Sequence, residues 1–115
     1  HFGKSFKVII FQKGILRMKT VVQIDEEIKE IIPNFLEGRE KDINLFKAAI
    51  DSEDFDQLES IGHKLKGNAG SYGFDKMSEY GAAIEIAAKE RKLEKIKSIV
   101  QEFEDHFQSI EIEFV

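Results

Sequence analysis

The feature that most constrains this chain is an apolar residue recurring at alternating intervals of three and four. The last long segment shows it best, with Leu93, Ile96, Val100, Phe103, Phe107 and Ile110. That spacing follows one face of an α-helix and forms the seam of a bundle helix. Phe55, Leu58, Ile61, Leu65 and Ala69 repeat it, as do Leu36, Ile43, Phe46 and Ile50, and then Met77, Tyr80, Ile84 and Ala87. Ile24, Ile28 and Ile31 fit a short helix ahead of these four. The only proline, Pro33, falls where the next helix begins, and its missing N–H costs little in a first turn.

Punctuation between the periodic runs is brief. Asp51-Ser52-Glu53-Asp54 supplies turn and N-cap chemistry, Gly70-Ser71-Tyr72-Gly73 ends the following run, and Asp75 is placed as the N-cap of the next. Gly38 is an irregularity inside its helix. Short connections make neighbouring helices antiparallel. The expected fold is all-α: an antiparallel four-helix bundle over residues 24–115, with a short accessory N-terminal helix. Residues 1–23 have a different character. They carry Lys4, Lys7, Lys13, Arg17 and Lys19 without one acidic residue, and read as a tail or linker. Residues 6–11 within them could form a strand. Met18 is a candidate natural start, which would make residues 1–17 upstream or added sequence.

Composition narrows the function. A net charge of −5 and no long basic run argue against nucleic-acid binding. The absence of cysteine removes disulfides and thiolate zinc sites and suits a reducing compartment. The apolar run Val8-Ile9-Ile10-Phe11 is too short to span a bilayer, and no secretory leader is evident, so a cytoplasmic protein without membrane insertion is expected.

The informative segment runs from Glu59 to Gly70. At about 100° per residue, Leu58, Ile61, Leu65 and Ala69 fall in one stripe and His63 lies on roughly the opposite side. Ser60, Gly67 and Gly70 flank His63, with Lys64 beside it and Lys66 one turn on. Each mid-helix glycine costs about 1 kcal/mol relative to alanine. Gly67 and Gly70 would give a phosphoryl group or a partner's backbone room to approach. A neutral imidazole offers one nitrogen lone pair to phosphorus, which a protonated lysine cannot. From the residues alone, an ordinary surface histidine with C-capping glycines stands beside this phosphoryl-carrying reading.

His63-Lys64-Leu65-Lys66-Gly67-Asn68-Ala69-Gly70, continued through Met77, Tyr80, Gly81, Ile84 and Ala87-Ala88, resembles the histidine-containing phosphotransfer (HPt) domains of two-component phosphorelays. The resemblance covers roughly residues 25–110. It implies that His63 is the phosphoacceptor, that Lys66 supports the phosphoryl group or the partner's acidic pocket, and that Gly67 gives room. Ser60, Lys64 and Gly70 become docking-face candidates. It also implies a response-regulator receiver domain, a histidine kinase, or both as partners. Any magnesium is expected in the receiver, with no cofactor or metal held by this chain.

Other readings are open at this point. The chain could be the phosphoacceptor piece of a chemotaxis-type histidine kinase, or a non-catalytic module that only binds receivers. Residues 67–73 lack the lysine and Ser/Thr of a nucleotide-binding loop, so an ATP site, and with it an autonomous enzyme, is not expected. Glu59 and His63 have the spacing of a metal-ligand pair, but no third ligand is evident. His1 and His106 suggest no constellation, and Glu102, Glu104 and Asp105 read as solvated surface charge. A monomer is the simplest expectation.

Overall fold

The computed structural model describes residues 4–6 and 19–115. Among them, four α-helices follow one another: α1 (Ile32–Asp51), α2 (Phe55–Ser71), α3 (Asp75–Lys89) and α4 (Leu93–Ser109). A 3-10 helix, Glu26–Ile31, precedes α1 and supplies the short accessory helix. Pro33 sits in the first turn of α1, where no intrahelical donor is lost. Asp54 caps α2 by accepting a hydrogen bond from the Gln57 backbone N–H at 3.1 Å. Gly73, with φ of +89°, turns the chain out of α2 in a conformation that costs glycine least.

The apolar stripes meet in one core. Leu58, Ile61, Leu65 and Ala69 of α2 pack with Phe46 of α1, Met77 and Ile84 of α3, and Ile96, Phe103 and Phe107 of α4. Leu58 and Leu65 are fully buried, and each such side chain contributes roughly 1.5–3 kcal/mol. Phe74 closes one end of the bundle, its ring stacked on Phe35 at 4.6 Å between centroids. It also holds the N-cap position of α3, so the capping role expected of Asp75 is corrected. Asp75 lies instead in the first helical turn, where its charge suits the helix dipole.

The bundle carries a small sheet that the helical pattern did not announce. Its strands are β1 (Lys4–Phe6), β2 (Thr20–Ile24) and β3 (Ile110–Phe114), in the order β1-β3-β2. β1 lies antiparallel to β3, and β2 lies parallel to it, with Thr20 opposite Ile110 and Ile24 opposite Phe114. Two expectations change. Ile110 begins a strand rather than ending α4, and Ile24 lies in β2 rather than in the accessory helix. The cause is alternation: Ile110, Ile112 and Phe114 are buried while Glu111 and Glu113 are half-buried, a period of two that a helix cannot bury on one side. Residues 20–23, read as tail, are thereby joined to the bundle. The possible strand at residues 6–11 is met only at Phe6, the end of β1. Residues 7–11 lie outside the described residues.

α2 and α3 approach each other closely where Gly62 faces Gly81. A Cβ built on Gly62 would lie 2.9 Å from the Glu85 nitrogen and 2.9 Å from the Gly81 oxygen. One built on Gly81 would lie 2.5 Å from the Lys66 nitrogen and 2.8 Å from the Gly62 oxygen. The two backbones touch with no space for a side chain between them.

Candidate functional site

His63 lies on the outer side of α2, one residue beyond the glycine contact, with 67% of its side chain exposed. The buried stripe on the far side of α2 fixes this orientation. Its Nδ1 is 3.0 Å from Oε2 of Glu85, which projects from α3. Glu85 is only 12% exposed, and three cationic or ionisable groups surround it. Lys66 Nζ is 3.3 Å from its Oε1, and Lys89 Nζ is 3.9 Å from its Oε2. Burial pushes the Glu85 carboxyl up, but the hydrogen bonds from Lys66 and His63, with the lysine's charge, outweigh burial and hold it below the ordinary glutamate range.

An ionised Glu85 can only accept, so Nδ1 of His63 must donate. The neutral ring then has its proton on Nδ1 and its lone pair on Nε2. A carboxylate on one ring nitrogen fixes the tautomer and orientation of the other.

The remaining residues singled out from the sequence are distributed along the same helix. Ser60, Lys64, Lys66, Gly67 and Gly70 are all exposed. Gly67 faces open space, with nothing within 4 Å of a Cβ placed there. Gly70 differs. Its Cβ would meet Ser78 Oγ of α3 at 3.2 Å, so its small size serves the α2–α3 contact. Ser78 Oγ in turn donates to the Lys66 carbonyl at 2.8 Å. Glu59 and His63 share a shallow groove with Asp56, Ser60 and Glu85. No group of three or more His, Asp or Glu side chains among the described residues is placed to hold a metal ion. No helix among them is long and apolar enough to cross a membrane.

The sequence reading missed Glu85. Its one available signal was positional: Glu85 follows Gly81 by four residues, as Lys66 follows Gly62, so each lies one turn beyond a glycine on facing helices.

A comparison with family models matches residues 30–112 to the Hpt domain. The chain belongs to the Hpt domain family. Hpt domains are histidine phosphotransfer modules of phosphorelays, where they work with receiver domains and kinases. A search of curated proteins finds no match, and a search of solved structures finds none. The match spans all four helices and ends within β3, whereas β1 and β2 precede it.

Proposed function

We propose that His63 is the phosphoacceptor of this Hpt domain and that it exchanges a phosphoryl group with the aspartate of a receiver domain. The observation that carries this reading is the exposed imidazole whose Nδ1 is held by a nearly buried, ionised Glu85. In the forward step, the Nε2 lone pair attacks the phosphorus of the receiver's aspartyl phosphate. The nitrogen–phosphorus bond forms, the phosphorus–oxygen bond to the aspartate breaks, and the carboxylate leaves. The ring gains positive charge, which Glu85 offsets across the Nδ1–H bond without taking the proton. Reversal passes the group to a second receiver.

The other residues have supporting roles. Lys66 holds Glu85 and extends positive charge along the face where the phosphoryl oxygens arrive. Gly67 leaves the space one turn from His63 empty for the partner. Ser60, Lys64 and Gly70 lie on the docking face. Magnesium and the acidic pocket belong to the receiver, and the chain contributes an oriented nucleophile rather than an ATP site.

The test is phosphotransfer from a labelled receiver with magnesium, to the wild type and to His63→Gln. Label that is acid-labile, base-stable and absent from the variant is the expected result. No label from a broad panel of phosphorylated receivers, with the bundle folded, would reject phosphoryl carriage and leave a module that only binds receivers.

A further inference from the structure

We infer that Gly62 and Gly81 are positioning residues for the imidazole, and that the close approach they permit between α2 and α3 sets which nitrogen of His63 carries the proton. Each glycine clears the backbone of a different member of the His63–Glu85–Lys66 network. The Cβ missing from Gly62 would press on the Glu85 backbone, 2.9 Å from its nitrogen and 3.3 Å from its Cα. The Cβ missing from Gly81 would press on the Lys66 backbone, 2.5 Å from its nitrogen and 3.0 Å from its Cα. These neighbours are backbone atoms in mid-helix, so no side chain can swing aside to relieve the contact. The helices would have to separate or slide.

Separation acts directly on the site. Glu85 reaches His63 from α3, while His63 and Lys66 both stand on α2. A shift of a few tenths of an ångström at the crossing lengthens a 3.0 Å hydrogen bond towards the limit of useful geometry. Once Glu85 no longer accepts from Nδ1, the neutral ring is free to place its proton on Nε2, as an unrestrained histidine prefers. The lone pair then lies on Nδ1, facing the helix crossing rather than the solvent. Two glycines in helix interiors are unfavourable for the helices themselves, and the contact they allow is what offsets that cost.

The consequence for transfer rests on His63 being the phosphoacceptor, but the consequence for the ring does not. The deciding measurement is therefore spectroscopic: nitrogen–proton NMR of the His63 imidazole at a pH where it is neutral. Wild type should show the Nδ1–H form. Gly81→Ala and Gly62→Ala, shown to be folded by circular dichroism, should shift towards the Nε2–H form. Phosphotransfer should fall by about 10-fold or more, the scale seen when a carboxylate that orients a metal-bound histidine is lost. Gly38→Ala, in a helix position with nothing within 4 Å, changes helix propensity alone and should leave the His63 signals unaltered.

Glu85→Asp keeps both glycines and shortens the reach by one methylene, so it imitates separation without disturbing the crossing. It should lose the Nδ1–H preference as well, and if it keeps that preference the inference fails even where the alanine variants do not fold. A folded Gly81→Ala or Glu85→Asp protein that keeps the wild-type tautomer would overturn the inference. A shifted tautomer in a series where even wild type accepts no phosphoryl group would uphold the inference and count against the proposed function instead.

Discussion

Two histidines among the described residues stand in opposite surroundings. His63 on α2 is two-thirds exposed and bonded to a carboxylate. His106 on α4 is 9% exposed, beside the Tyr80 ring at 5.7 Å between centroids, with Lys76 lining the same groove. Burial, and then the charge of Lys76, hold His106 below the ordinary histidine range. One ring is thus oriented outward with compensation for positive charge, and the other is kept neutral inside. Residue type alone does not decide how a histidine is presented. Access and a partner for the second nitrogen distinguish the two.

The sharpest way to break this contrast is to exchange the losses. His63→Gln should abolish phosphoryl uptake from a labelled receiver, while His106→Gln should leave uptake unchanged wherever the variant is folded. Uptake that survives the first change or disappears with the second would reverse the assignment. A smaller loss is expected at Gly67→Leu. The empty space there should admit the side chain without unfolding the bundle, yet transfer should drop by about 100-fold, as expected when reacting groups are displaced by about 1 Å. Normal transfer by that variant would show that clearance at Gly67 does not matter.

Glu85→Gln should come next, with a loss of about 10- to 100-fold in transfer, because the amide retains the shape but not the charge that offsets the phosphorylated ring. If its rate equals that of wild type, the carboxylate has only a packing role.

The least dramatic test concerns acid. His106 has a depressed folded value, so the unfolded chain binds more protons as pH falls below the ordinary histidine value of about 6.5. Stability should therefore decline from there towards the folded value of His106, by at most about 1.4 kcal/mol per pH unit for one proton. Glu85, also depressed, adds a separate loss as pH falls from the ordinary glutamate range through its own folded value. Chemical denaturation at a series of pH values should show the first decline in wild type and not in His106→Gln. An identical slope in both would remove His106 from the explanation.

Much of the bundle was legible because helices announce themselves locally. The stripe of α2, and hence the outward direction of His63, follows from residues within three turns of one another. The sheet was less visible. Ile110 continues the spacing of Phe103 and Phe107, so the strand begins just where a helical reading still fits. The partner that rewards its alternation, Thr20–Ile24, is far away in sequence. Glu85 was hidden for a related reason. In a chain with 22 acidic residues, nothing marks one carboxylate until the pairing of α2 with α3 is known. The glycines are a case in between. Gly67 was read as clearance and does face open space, but the glycines with backbone pressed against them are Gly62 and Gly81.

The parallel pairing of β2 with β3 also has a mechanical side. Thr20 lies opposite Ile110 and Ile24 opposite Phe114, so tension applied at Lys19 and Val115 would draw the two strands in opposite directions along their length. Loaded in shear, the hydrogen bonds between them share the force and must give way together, rather than opening one by one as in a zipper. The same short pair, packed on the core through Ile24, Ile110, Ile112 and Phe114, would act as a clamp, shielding the helices and the imidazole they carry from a pull along the chain.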